Sequence, residues 1–140
     1  MIHFHYETGF KLNDEQVYRQ WVASVIASEA RETGEINYIF CDDAYLQEMH
    51  IKYLKNNTLT DIISFDYSKE TTLSGDIFIS VERVKDNARA YKVRFEEELL
   101  RVMAHGLLHC CGYNDKTDAE TAVMRSKEEE KIKMFHVKQS

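Results

Sequence analysis

The stretch AHGLLHCCGYND, residues 104–115, sets His105 and His109 four positions apart and follows them with Cys110, Cys111, Gly112 and Asp115. On a helix, at about 100° per residue, the two imidazoles differ by about 40° in direction, so both point the same way one turn apart and can share one metal ion. Cys110 and Cys111 then lie about 140° and about 240° from His105, away from such an ion. Free cysteine is among the most buried residue types, and these thiols are expected to fill core. A third ligand cannot come from the same straight helix. Gly112, with no Cβ to oppose a left-handed backbone, lets the chain stop and turn, and Asp115 follows the turn.

With six histidines in 140 residues, some pair four apart arises by chance roughly one time in five, so the pair alone is weak. Requiring the glycine and a third ligand-type residue at their observed offsets lowers that figure to roughly two in a thousand, which favours a metal site. Two imidazoles and one carboxylate suit Zn²⁺ and leave a fourth position open, as catalytic sites do. One zinc ion held this way would act as a Lewis acid and make bound water more acidic. Asp42, Asp43 and His50 are not placed to join by spacing and read as surface or capping groups. His3 and His5 share one face of a strand and read as structural.

The elements that must position these groups are legible from periodicity. IHFHY, Ile2 to Tyr6, alternates as a strand. Asn13 fits an N-cap for a helix carrying Val17, Trp21 and Val25, with Gly34 as its C-cap. INYIF, Ile36 to Phe40, is a second strand, and Asp42 caps a helix through Leu46, Met49 and Tyr53 that ends near Asn56 and Asn57. DIISFDY and DIFIS read as strands joined across the polar loop SKETTLSG, a long-looped hairpin. Ser80 caps a helix to about Tyr91, and Phe95 to Cys111 forms a buried helix with Glu96, Glu97 and Glu98 in its first turn. Thr117 and Glu120 form a capping box for a last helix through Met124 and Ile132. The sum is an α+β fold: one domain over residues 1–140, with a small mixed sheet of about four strands packed by about five helices. The metal site falls at the end of the buried central helix.

Three cysteines, two of them adjacent, make a poor disulfide framework and fit a reducing, cytoplasmic setting. No apolar run approaches the roughly 18 residues of a membrane span, so no membrane partner is expected. A net charge of −6 argues against nonspecific binding to nucleic acid through a generally basic surface, so any polyanion needs a local patch.

The histidine spacing is that of the metzincin peptidases, which place a glutamate directly after the first histidine as general base. Gly106 holds that position here and cannot take a proton from water, which removes the residue a zinc peptidase depends on. The sequence instead resembles the YbeY endoribonucleases, whose signature H-G-x-L-H-L-x-G-Y-D-H stands against HGLLHCCGYND. TDIISFDY (Thr60 to Tyr67) and SGDIFIS (Ser74 to Ser80) resemble two further family segments, in the same order.

That resemblance implies a zinc-dependent endoribonuclease specific for single-stranded RNA, acting in ribosomal RNA maturation (16S rRNA processing) and ribosome quality control. The ribosome or small-subunit assembly proteins would be partners. The resemblance assigns His105 and His109 as the first two ligands and puts Asp115 where a third histidine usually stands, with Asn114 for the usual aspartate. Aspartate is a competent zinc ligand, but its charge leaves a less acidic bound water. Leu54 occupies the position of an arginine held to engage RNA, and Lys52 or Lys55 could substitute as a point charge or simply form a solvated helix face. The run Arg83, Lys85, Arg89, Lys92, Arg94 and Arg101 reads either as an RNA-facing strip or as a mixed charged surface. Asp61 and Asp76, with Gly112, are expected to support the site or the fold. A second reading is a ribosome-associated assembly factor with a structural metal and little catalysis.

Overall fold

The computed structural model describes residues 1–54 and 60–139. It contains strands β1 (Ile2–Tyr6), β2 (Glu32–Cys41), β3 (Ile62–Asp66) and β4 (Thr72–Ser80), and helices α1 (Glu15–Ser28), α2 (Asp43–Leu54), α3 (Val81–Tyr91), α4 (Phe95–Cys110) and α5 (Asp118–Gln139). The sheet order is β1-β2-β4-β3. β2 pairs in parallel with β1 and β4, and β3 pairs antiparallel with β4, which makes the expected small mixed sheet.

Most helix starts follow the expected capping chemistry. Tyr45 N–H donates to Asp42 Oδ1 at 2.8 Å, Arg83 N–H to Ser80 Oγ at 3.2 Å, and the Thr117/Glu120 box closes at 3.0 and 3.1 Å. Asp14, not Asn13, caps α1, its carboxylate accepting from Val17 N–H. Gly34 is not the C-cap of that helix. α1 ends at Ser28, Ala30 takes the left-handed turn at φ 59°, and Gly34 lies inside β2, where a Cβ would meet Ser74 Oγ. The hairpin is also tighter than its polar composition suggests: β4 begins at Thr72, and Lys69 and Thr72 exchange hydrogen bonds of 3.0 and 2.9 Å. Thr72 and Ser74 face outward between the buried Leu73 and Gly75, so a strand with one polar face resembled a loop. The expected end of α2 near Asn56 and Asn57 lies outside the described residues.

The two faces of the sheet are covered unequally. α1, α4 and α5 bury one side over Trp21, Val25, Ile36, Tyr38, Ile77 and Leu107, while α2 closes the other with Leu46 against Cys41 and Ile63. Burying each large aliphatic side chain contributes about 1.5–3 kcal/mol. Two polar groups buried in this core find carbonyl partners: Trp21 Nε1 donates to Lys131 O at 2.8 Å and Tyr38 Oη to Met103 O at 2.9 Å. Gly106 explains how closely α4 approaches the sheet, since a Cβ there would lie 2.8 Å from Ile77 Cγ2 and 3.0 Å from Ile62 Cδ1. α4 is therefore both a central pillar of the core and the carrier of His105 and His109.

Candidate metal centre

α4 delivers His105 and His109 on one side, and the chain then reverses. Gly112 N–H donates to His109 O and Tyr113 N–H to Leu108 O, both at 3.0 Å, with Gly112 in the left-handed region at φ 101°. Two long-range bonds pin this turn: Arg31 Nη2 donates to Cys111 O at 3.0 Å, and Tyr113 Oη to Glu29 Oε1 at 2.7 Å. Thr121 Oγ1 donates to Asp115 O at 3.1 Å, which ties the segment beyond the turn to the start of α5.

The result is a cluster of three donor atoms. His105 Nε2 lies 2.9 Å from His109 Nε2 and 3.3 Å from Asp115 Oδ2, and His109 Nε2 lies 3.6 Å from the same oxygen. Tetrahedral zinc bonds of about 2.05 Å require neighbouring ligand atoms about 3.3–3.4 Å apart, a value this triangle brackets. Among the described residues these three form the group that could hold an ion.

Glu128 of α5 orients the first ring, its Oε2 standing 2.7 Å from His105 Nδ1. A carboxylate can only accept here, so Nδ1 carries the proton and the Nε2 lone pair is left for a metal. Arg101 holds the other oxygen of Glu128 at 3.4 Å. Burial opposes charge on His105, yet Glu128, with Asp115 and Asp61 adding to it, outweighs burial and keeps the pKa of the ring above the ordinary imidazole value. Cys110 is buried against Gly75, and burial pushes its thiol up to about 12, which suits core filling and not ligation.

The donor cluster opens into a cleft of about 920 Å³ whose lining includes Asp61, His50, Lys116, Arg125 and Glu128. Asp61 sits immediately before β3. Burial raises its carboxyl pKa although the His105 charge works against that rise, and Asn87 Nδ2 donates to it at 3.5 Å. Asp76 is elsewhere: strand alternation aims it opposite to Ile77, away from α4, where Asn37 Nδ2 donates to it at 3.1 Å. His3 and His5 pair with Glu35 and Asn37 along the sheet edge, Asp42 caps α2, and Asp43 pairs with Arg83 at 2.8 Å.

Residues 3–136 match the family described as Endoribonuclease YbeY. Curated relatives of that name are 61% identical in Flavobacterium johnsoniae, over 99% of this chain and all of the relative, and 60% identical in Flavobacterium psychrophilum, over all of both chains. The chain belongs to the endoribonuclease YbeY family. Its enzyme class is accordingly that of a hydrolase cutting RNA internally. The solution structure of TM1509 from Thermotoga maritima has the same fold, with a TM-score of 0.71 at 22% identity, over 99% of this chain and 91% of that one.

Of the two readings open for the cationic residues, a charged surface describes most of those in the described residues. Lys52 extends over the Tyr53 ring, 5.3 Å from its centroid, and does not line the cleft. Lys55 lies outside the described residues. Of the basic run, Arg101 alone lines the cleft, and it is enclosed by Glu98, Glu128 and Glu129; Arg83, Arg89 and Arg94 each pair with nearby acids. Sequence reasoning missed Glu128 and placed His50 outside the site. A signal for Glu128 existed: Thr121, Met124, Arg125 and Glu128 follow helical spacing, and all four line the cleft.

Proposed function

We propose that the chain is a zinc-dependent endoribonuclease that cuts single-stranded RNA during ribosomal RNA maturation in the cytoplasm. The observation that carries this reading is the donor triangle of His105, His109 and Asp115, with His105 oriented by a buried carboxylate. A divalent ion there would supply Lewis acidity toward a phosphoryl oxygen. Glu128 would keep His105 in its ligating tautomer, and Asp115 would offer one charged oxygen beside two neutral nitrogens. Asp61, half-buried and raised in pKa beside this group, would hold a proton or hydrogen bond near the reacting phosphate. Tyr91, 59% exposed on the cleft, offers a face on which an unpaired base can stack.

No helix among the described residues is long and apolar enough to cross a membrane. The peptidase reading has no support at Gly106, which is packed against Ile77. The test is metal content set beside RNA cleavage. Stoichiometric zinc lost on Asp115→Ala and on His109→Ala, with cleavage lost in both, is the expected result. Cleavage that survives both chelation and His109→Ala refutes the reading. A metal-free chain that is unstable, when the loaded chain never cut RNA, would favour the assembly-factor role instead.

A further inference from the structure

Among the described residues, five carboxylates line the cleft: Asp61, Asp66, Glu98, Asp115 and Glu128. The chain as a whole carries a charge of −6, and its one buried-side guanidinium in the cleft, Arg101, is engaged by three acids. A polyanion entering here needs cations that are not already neutralised.

Lys116 and Arg125 meet that need. Both are exposed and line the cleft. Lys116 directly follows Asp115, and Arg125 shares the cleft-facing stripe of α5 with Glu128, one turn before it. Among the described residues neither has a carboxylate within 4.0 Å; the charge of Arg125 reaches Glu98 only through space. Exposed cations left unpaired beside acids that are mostly engaged keep their donors available to an incoming group. Arg125 adds a planar fork that can take a phosphate by two bonds.

We propose that Lys116 and Arg125 are the phosphate-binding pair of this cleft, receiving the RNA backbone on the α5 side of the metal centre. The proposal rests on RNA entering this cleft, as the preceding section reads it. The two residues bind substrate and hold no ligand of the ion, so their loss should leave metal content and fold intact.

The test compares the metal-loaded wild-type chain with Lys116→Gln/Arg125→Gln and with a control of equal charge change outside the cleft, Lys11→Gln/Lys133→Gln. Binding of a labelled single-stranded RNA of about 12 nucleotides is followed by anisotropy, before cleavage sets in, from about 50 to about 200 mM salt. Each phosphate contact removed should flatten the slope of log affinity against log salt by about 0.7, so the cleft variant should be shallower by about 1.4. Its KM should rise with kcat little changed, and Lys116→Arg/Arg125→Lys should restore the wild-type slope. The control should keep that slope. An unchanged slope in the cleft variant, or equal flattening in the control, overturns the assignment. Wild-type protein that binds no RNA at any salt overturns the cleft reading itself, and the assignment with it.

Discussion

Glu128 gives His105 what the histidine motif cannot supply for itself, a fixed tautomer. Its carboxylate is 5% exposed and held from both sides, by His105 Nδ1 and by Arg101. Removing the charge while keeping the shape, as in Glu128→Gln, should weaken metal affinity by about 10- to 100-fold. A chelator-competition titration reads this, with Glu129→Gln as the control because Glu129 touches Arg101 and not the histidine. Equal affinities in both variants would remove Glu128 from the orienting role. Gly106→Ala tests the other function of the same helix. The added Cβ would stand 2.8 Å from Ile77 Cγ2, on a β-branched side chain with little freedom to move. Overpacking of about 1–3 kcal/mol opposes a helix-propensity gain of about 1 kcal/mol, so urea unfolding should show a net loss near 1 kcal/mol. The candidate ligand cluster was readable from the sequence because the spacing of His105, His109 and Asp115 follows helical geometry plus one glycine. Glu128 was not, because its partner lies on another helix and only packing brings the two together.

At the scale of elements, the turn after α4 is fastened to α1 and α5 by a buried charge cluster. Lys131 is fully buried and stands 2.6 Å from Glu29, which Lys127 also reaches at 3.1 Å and Tyr113 at 2.7 Å. Burial works to raise the carboxyl pKa of Glu29, but the donors Lys131, Tyr113 and Lys127 together outweigh it and hold the group below its ordinary value. A depressed folded-state pKa means this contribution is fully present above the ordinary value of 4.5 and is lost as pH falls through the lower, folded one. Glu29→Gln should therefore cost about 3 kcal/mol near neutrality, since Glu130 still accompanies Lys131. Denaturant titrations at stepped pH should show the gap between variant and wild type closing below about pH 4.5. A gap independent of pH would contradict the assignment. None of this cluster follows from local sequence pattern. The element boundaries that did follow were those with a cap chemistry of their own, at Asp42, Ser80 and Thr117. Gly34 misled because a glycine near a helix end and a glycine under a crowded strand look alike until the neighbouring strand is placed.

For the whole molecule, the proposed ion would join the end of α4 to the segment that leads into α5, so occupancy and global stability should move together. Zinc at about 100 times its Kd should add about 2.7 kcal/mol to unfolding. A calorimetric melt with and without chelator reads the shift, and His109→Ala should abolish the difference between the two conditions. A melt indifferent to chelator in the wild-type chain would deny the linkage. The mixed sheet and five helices were legible because their residues alternate or recur with clear periods; the strand order was not, because parallel pairing joins residues far apart in sequence.

That separation bears on how the chain finds its structure. His105, His109, Asp115 and Glu128 all come from one helical hairpin, whereas the sheet must bring Ile2 beside Ile36 and Asn37 beside Asp76. Closing a short segment loses little entropy, and joining distant strands loses more and takes longer. Refolding should accordingly be timed by the search for strand register, with the ligand-bearing hairpin already able to form while that search goes on.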